Sequence, residues 1–458
     1  MSIQKKVAAT LALCMCASSL AACGAPASSA ASSASSASES TAASTVESTA
    51  ASTAGGTEIR VVTSYGGDDG NRTNYESAVK GYEDASGNTV VDESATSNEQ
   101  WKAQVKADFQ TGSEPDVLFF FTGTDANEFI KNGKVVSIEE IRSAYPEYAD
   151  NMLDAAMPLS FVDSKAYAVP SSGYWEGLFV NKAVLAECGV DVPDANTTWD
   201  EFMTMCQTIK DKGYTPIACS LAEVPHYWFE YTILNQGSIA KHAEVPASGS
   251  DEAGARWCAG FDTMKEMYDK GYFPANTLTA GDADTFQMMA DNEAAFAIDG
   301  SWKVGWFTGA DDTAGNVENV DDYTVTYVPG AGDRKATDIV GGISMGYYIT
   351  EKAWSDPEKR DAAVKFVEYM TTDDQVNLFA AGAPTALKTG IPEVADTDSL
   401  HKAAIEMFNG KTGMASAVQD ALNQTARGVL FASVKDIVTG GTAAVDAIDT
   451  ALATPLAE

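Results

Sequence analysis

Apolar residues recur along this chain with two spacings, and the switch between them lays out its elements. In "TEIRVVTSYGG", Ile59, Val61 and Val62 are β-formers and the glycines at 66 and 67 end the run, which predicts a strand. In "TNYESAVKGYEDASG", Tyr75, Val79 and Tyr82 recur at helical spacing and predict an amphipathic helix closed near Gly87. "NTVVDES" is a second strand. A helix bearing Trp101, Val105, Ala107 and Phe109 follows, then a turn at Pro115 and an unbroken apolar run from Val117 to Phe121. Such a run fits a strand covered on both faces of a parallel sheet. The β-α-β-α-β order predicts an α/β domain whose ligand face lies at the C-terminal ends of its strands.

A second unit is expected from "AVPSSGYWEGLFVNKAVLAECG" onward. Its next helix carries Thr198 as N-cap, Glu201 as capping-box partner and Gly213 as stop. Helices are predicted over 253–270 and 284–291, and "EAAFAIDGSWKVGWF" is a strand turning at Asp299 and Gly300 into an aromatic helix start. "DYTVTYVPG" alternates as a strand, and "DIVGGISMGYYIT" is a strand interrupted by Gly341 and Gly342, where glycine permits a bulge or a change of backbone angle. "SDPEKRDAAVKFVEYMTT" predicts a helix with Ser355 as N-cap and Pro357 in the first turn, and more amphipathic helix covers 426–438 and the stretch from Thr442. No repeat of solenoid length is visible.

The first residues change the picture of where the chain resides. Lys5 and Lys6 precede a short apolar core, Val7 to Met15, too short to cross a membrane and stay. Leu20, Ala21, Ala22 and Cys23 resemble the lipobox of bacterial lipoproteins, which implies a signal peptide over 1–22 and a lipid on Cys23 as first mature residue. Ala, Ser, Thr, Gly and Glu dominate up to Gly56, a composition that cannot bury enough apolar surface to order itself, so 23–56 is expected to be a flexible tether. The remainder is long enough for two domains. With 65 acidic against 30 basic residues, the formal charge of -35 opposes nucleic-acid binding and protein-borne attraction to anionic lipid. Cys188, Cys206, Cys219 and Cys258 leave every disulfide pairing open, and Cys206 sits at a buried helical position compatible with a free thiol. His226, His242 and His401 lack metal-ligand spacing, so no metal and no cofactor is expected.

Spread along 58–458 are "GSEPDVLFF", "GLFVNKAVLAECGV", "TTWDEFMTMCQTIKDKGYTPI", "MMADNEAAFAIDGSW" and "GGISMGYYIT" leading into "AAVKFVEYMTTDDQ". In order and spacing these resemble the extracellular solute-binding proteins of bacterial ABC importers, in the carbohydrate-binding group that includes maltose-binding protein. The resemblance implies a two-lobed α/β fold with a hinge and a central ligand cleft, lobe one being 57–168 and 342–382 and lobe two 169–341 and 383–458. It also implies a monomer on the outer face of the cytoplasmic membrane, held by its lipid, that passes a sugar to the membrane permease subunits of an ABC importer. Gly341 and Gly342 would belong to the hinge.

A sugar presents hydroxyls at its rim and apolar C–H faces, so its pocket wants aromatic platforms ringed by polar groups. Aromatic and acidic residues beside predicted strand ends or turns supply the candidates: Tyr65 with Asp68, Phe120 with Asp125, Tyr174 and Trp175 with Glu176, Trp228 beside Tyr227, and Trp302 with Asp299. By the resemblance, Phe120, Asp125 and Trp302 match positions near the sugar, and Tyr174 to Glu176 follow a crossing between lobes. Trp175 and Trp302 are expected to stand in the cleft. The sequence holds no G-x-S-x-G, HExxH or phosphate-loop motif, and no enzymatic role is expected. The alternatives are the same architecture serving a peptide, an amino sugar or a polyamine, an exported glycoside hydrolase, and a structural surface protein.

Overall fold

The computed structural model describes residues 56–454 apart from 68, 243, 309–316, 381–382 and 391–397. The expected leader, the tether, Cys23 and Asp68 lie outside the described residues. The strands are β1 (Glu58–Val62), β2 (Thr89–Asp92), β3 (Val117–Phe121), β4 (Tyr174–Asn181), β5 (Thr215–Ile217), β6 (Ala294–Gly300), β7 (Tyr323–Thr326), β8 (Asp338–Gly342), β9 (Met345–Ile349) and β10 (Gly413–Ala415). They form a 4-stranded sheet of order β2-β1-β3-β9 and a 6-stranded sheet of order β10-β8-β4-β6-β5, with β7 beside β4. In the first sheet β1 runs parallel to β2 and β3, and β9 closes the edge antiparallel to β3. In the second, β4 is antiparallel to β6, β7 and β8.

Both sheets are covered on two faces. Val117 and Phe119 enter one apolar cluster with Tyr75, Tyr82 and Phe366, while Leu118 and Phe120 enter another with Trp101, Val105 and Phe109. β4 divides in the same way, Leu178 and Val180 facing one core and Trp175 and Phe179 the other. Period-two alternation thus yields an unbroken apolar sequence, because each face meets helices.

Local chemistry sets most helix ends. Helix Arg72–Ser86 stops at Gly87, whose φ of 73° and N–H bond to the Glu83 carbonyl form a left-handed cap. Thr198 and Glu201 close a reciprocal capping box on helix Trp199–Asp211. Two expectations are corrected. Ser355 ends a short helix, Glu351–Ser355, and the cap of helix Pro357–Met370 is Asp356, whose carboxylate accepts from the Glu358 and Lys359 amides. A charged acceptor at this position also meets the positive end of the helix dipole. On helix Glu99–Thr111 Ala107 is exposed, and Lys102 is buried instead, its ammonium 2.9 Å from Glu99 and 3.8 Å from Asp125.

Three stretches of chain meet between the sheets. Val169 exchanges backbone hydrogen bonds of 3.0 and 2.8 Å with Tyr347, and Tyr174 then opens β4. β8 ends at Gly342, and β9 begins at Met345. The Gly173 amide donates to the Pro384 carbonyl at 2.6 Å. A Cβ on Gly173 would fall 2.3 Å from the Gly342 carbonyl oxygen, so the three stretches stack only because glycine stands there. Gly341 is constrained in the same way, since its Cβ would lie 2.7 Å from the Tyr174 carbonyl oxygen.

Candidate functional site

Loops carried by the first sheet press directly on those of the second. A Cβ on Gly70 would lie 2.0 Å from the Trp302 carbonyl oxygen, and one on Gly305 would lie 2.3 Å from that of Gly70. The Thr124 hydroxyl donates to the Asp420 carbonyl at 3.1 Å, and the hydroxyls of Tyr65 and Ser171 are 3.1 Å apart.

Beneath this contact the second sheet gathers aromatic rings and carboxyl groups. Tyr174 and Glu176 project from the same face of β4 by strand alternation, and Asp299 and Gly300 end the neighbouring β6. Helix His226–Leu234 faces them with Tyr227, Glu230 and Tyr231, spaced three and four apart. The Tyr231 hydroxyl donates to the Glu176 carbonyl at 2.8 Å and accepts from the Val340 amide at 3.1 Å, locking the helix to two strands. The half-buried Trp302 ring lies 6.4 Å from Tyr174 and 6.3 Å from Tyr227. Its indole covers Gly300, where a Cβ would come within 2.2 Å of a ring carbon.

Among the described residues, Glu176 and Glu230 form no ion pair, and Asp299 faces Lys303. Glu176 and Glu230 are 2% and 0% exposed, and one Glu176 oxygen and both Glu230 oxygens have no hydrogen-bond partner among the described residues. The two side chains act on each other's titration, and two like charges side by side in a buried place favour a proton on one. Burial, reinforced by the charges of Asp299 and Asp420, pushes Glu176 up to about 8. Burial, then the Glu176 charge, pushes Glu230 up as well. Asp299 rises to about 7, again through burial, although Lys303 stands 3.8 Å away and the Gly300 amide donates to it at 2.7 Å. Gln419, 5% exposed, is a neighbour that lowers the Glu230 pKa, and its amide oxygen has no partner among the described residues.

A second group of carboxylates, nearer the first sheet, is neutralised. Arg427, 1% exposed, reaches Asp125 at 2.9 Å and Glu99 at 2.8 Å, while Lys106 reaches Asp125 at 3.2 Å. Burial pushes Asp125 up, but Arg427, Lys102 and Lys106 outweigh it and hold the carboxyl below its ordinary value. This network joins helix Gln424–Thr439 to helix Glu99–Thr111 and the turn after β3.

Of the residues singled out in the sequence, Tyr174, Glu176, Asp299 and Trp302 are brought together. Trp175 lies on the opposite face of β4, fully buried in a cluster with Phe179 and Phe307. Phe120 is fully buried between Trp101 and Phe129. Trp228, also fully buried, stacks on Phe202. Tyr65 is packed among Tyr75, Phe119 and Phe379, and Asp125 forms the ion pairs above. Tyr227 was seen in the sequence only as a neighbour of Trp228, and Glu230, Gln419 and Arg427 were missed. Glu230 did carry a signal: it is the one acidic residue in "HYWFEYTIL", with no lysine or arginine on that helix to pair with it.

Residues 69–377 match the family model described as bacterial extracellular solute-binding protein. A multiple sugar-binding protein of Streptococcus mutans is 25% identical over 239 residues, 50% of this chain and 53% of that one. A probable sugar-binding periplasmic protein of Rhizobium meliloti is 26% identical over 218 residues, 45% of this chain and 49% of that one. The chain thus spans about half the length of the curated relatives it matches. Among solved structures, a chitin oligosaccharide binding protein superposes with a TM-score of 0.74 at 21% identity, covering 87% of this chain and 97% of that one. A maltose-bound protein of T. maritima gives 0.65 at 18% identity, covering 86% and 98%.

Proposed function

From the chain's membership of the bacterial extracellular solute-binding protein family, which the match over residues 69–377 establishes, we propose that it captures a sugar, an oligosaccharide by preference, for an ABC importer. The observation that carries this reading is the convergence of three aromatic rings, Tyr174, Tyr227 and Trp302, with the carboxyl groups of Glu176, Glu230 and Asp299 where the loops of the two sheets meet. Rings offer faces to sugar C–H groups, and carboxyl oxygens accept from hydroxyls. The sugar-binding names of both curated relatives support it.

In this reading the first sheet belongs to a lobe of 57–168 and 342–382 and the second to a lobe of 169–341 and 383–458. The stacked stretches at Gly173, Gly342 and Pro384, with Gly341, act as the hinge. Cys23 carries the lipid that holds the protein outside the cell, and the permease subunits receive the closed form. Glu176, Asp299, Tyr174 and Trp302 contact the sugar, whereas the burial of Phe120, Trp175 and Trp228 speaks for packing.

Thermal melts and calorimetric titration of the full chain against mono- and oligosaccharides test the reading, because a ligand of the folded state raises its apparent stability. A saturable shift with at least one sugar is expected, together with a smaller radius of gyration from a mainly open free form. No sugar producing a shift would refute it. Fatty-acid labelling that is lost in Cys23→Ala tests the anchor separately.

A further inference from the structure

We propose that the site prefers a sugar bearing a protonated amino group, which the Glu176 and Glu230 side chains hold together; this rests on the sugar-binding reading above. Three unpartnered carboxyl oxygens and the unpartnered amide oxygen of Gln419, all on side chains at least nine-tenths buried, are acceptors awaiting donors. An ammonium group supplies three donors and one positive charge, whereas a hydroxyl supplies one donor and no charge. The charge matters because, among the described residues, neither glutamate forms an ion pair, while Asp299 and Asp420 add negative charge beside them. Lys303 is directed to Asp282 at 3.3 Å and Asp299, and Arg427 to Asp125 and Glu99. The described residues offer no group of three or more His, Cys, Asp or Glu side chains able to hold a metal ion. Trp302, Tyr174 and Tyr227 form an aromatic wall suited to a sugar ring, which a linear polyamine would leave unused.

Binding of such a sugar releases a proton. In the free protein burial favours protonated carboxyls at the pair; an ammonium beside them favours the carboxylates, and the displaced proton leaves to solvent. The titratable and charged groups facing the pair are Tyr174 on β4, Tyr227 and Tyr231 on the opposing helix, Asp299 with Lys303 beside β6, Asp420 beside Gln419 and, across the Tyr231 ring, Arg334.

The test is calorimetric titration of the full chain with matched amino and N-acetylated mono- and disaccharides of glucosamine and galactosamine, and with spermidine, in two buffers of different ionisation enthalpy. The expected result is at least ten-fold tighter binding of an amino form than of its acetylated counterpart, with a proton released. Glu230→Gln, and separately Glu176→Gln, should abolish the preference and the proton release while each variant still melts as a folded protein. Equal binding of the two forms, or preference for the acetylated one, overturns the inference and leaves the sugar reading standing. Saturation by spermidine with no sugar bound overturns both.

Discussion

The two groups of carboxylates at the junction of the sheets each centre on buried acids, Asp125 in one and Glu176 with Glu230 in the other, and are opposite in their chemistry. Around Asp125, the carboxylates Glu99 and Asp420 are matched by Lys102, Lys106 and Arg427. Around Glu176, the carboxyls of Glu230, Asp299 and Asp282 are matched by Lys303 alone among the cations that act on them. Burying a charge without a partner costs several kcal/mol, so the first group has been completed by the protein and the second has been left for protons or for something that binds. The completed group is a latch that joins distant parts of the chain, and the incomplete one is the site proposed for the sugar.

The largest expected effect breaks the completed group. Arg427→Met leaves Asp125 and Glu99 buried without their main cation, which should lower unfolding free energy by about 3–5 kcal/mol in denaturant melts. If instead the variant is as stable as the parent, the group is not neutralised through Arg427. Since Arg427 also ties the segments together, scattering should show a larger radius of gyration in the free protein.

Next comes the aromatic wall of the incomplete group. Trp302→Ala should weaken sugar binding by at least about 2 kcal/mol, roughly thirty-fold, with little change in the melt. Trp228→Ala should do the reverse, costing about 3–5 kcal/mol of stability because its ring fills the core against Phe202. Melts and titrations of both variants check the pair, and equal stability losses would place both rings in the core.

How much of this was legible beforehand differs by element. Helix ends with a local cause, such as Gly87 and the Thr198–Glu201 box, could be read directly, and so could β3, whose run Val117 to Phe121 admits no solvent-facing position. The site was half legible. Glu176, Asp299 and Trp302 sit at strand ends, where ligand faces are expected, and they converge. Tyr227 against Trp228 was not decidable, since Trp228 to Leu234 is buried all round and gives the helix no phase. The latch was illegible for a different reason: Arg427 and Asp125 are 302 residues apart, and no local pattern pairs them.

The proton held by the incomplete group gives it a signature in pH. Glu176 has a folded pKa of about 8, above its ordinary value of 4.5, so the stability it contributes is complete below about 4.5 and is lost as pH rises through 8. Each pH unit of displacement corresponds to roughly 1.4 kcal/mol. Glu176→Gln lacks this dependence, so it should be progressively more stable than the parent from pH 5 to about 8 in the absence of ligand. Parallel melts across that range check it, and a constant difference would mean that Glu176 is ionised throughout.

The smallest effect is expected where the completed group has cations to spare for its most buried acid. Lys102 is 7% exposed in its side chain, contacts Glu99 at 2.9 Å and Asp125 at 3.8 Å, and lies 3.8 Å from the Phe121 ring centroid. Met at this position keeps the apolar length of the side chain and the contact with Phe121 while removing the charge. Asp125 still has Arg427 and Lys106, both closer to it than Lys102 is, and Glu99, with 26% of its side chain exposed, can recruit water. Lys102→Met should therefore cost only about 1 kcal/mol, well short of the Arg427 variant, and the cost should shrink in high salt as the residual charge is screened. Chemical denaturation of Lys102→Met beside Arg427→Met at low and high salt separates the cases. A loss for Lys102→Met as large as that for Arg427→Met would mean that the first group has no cation in reserve.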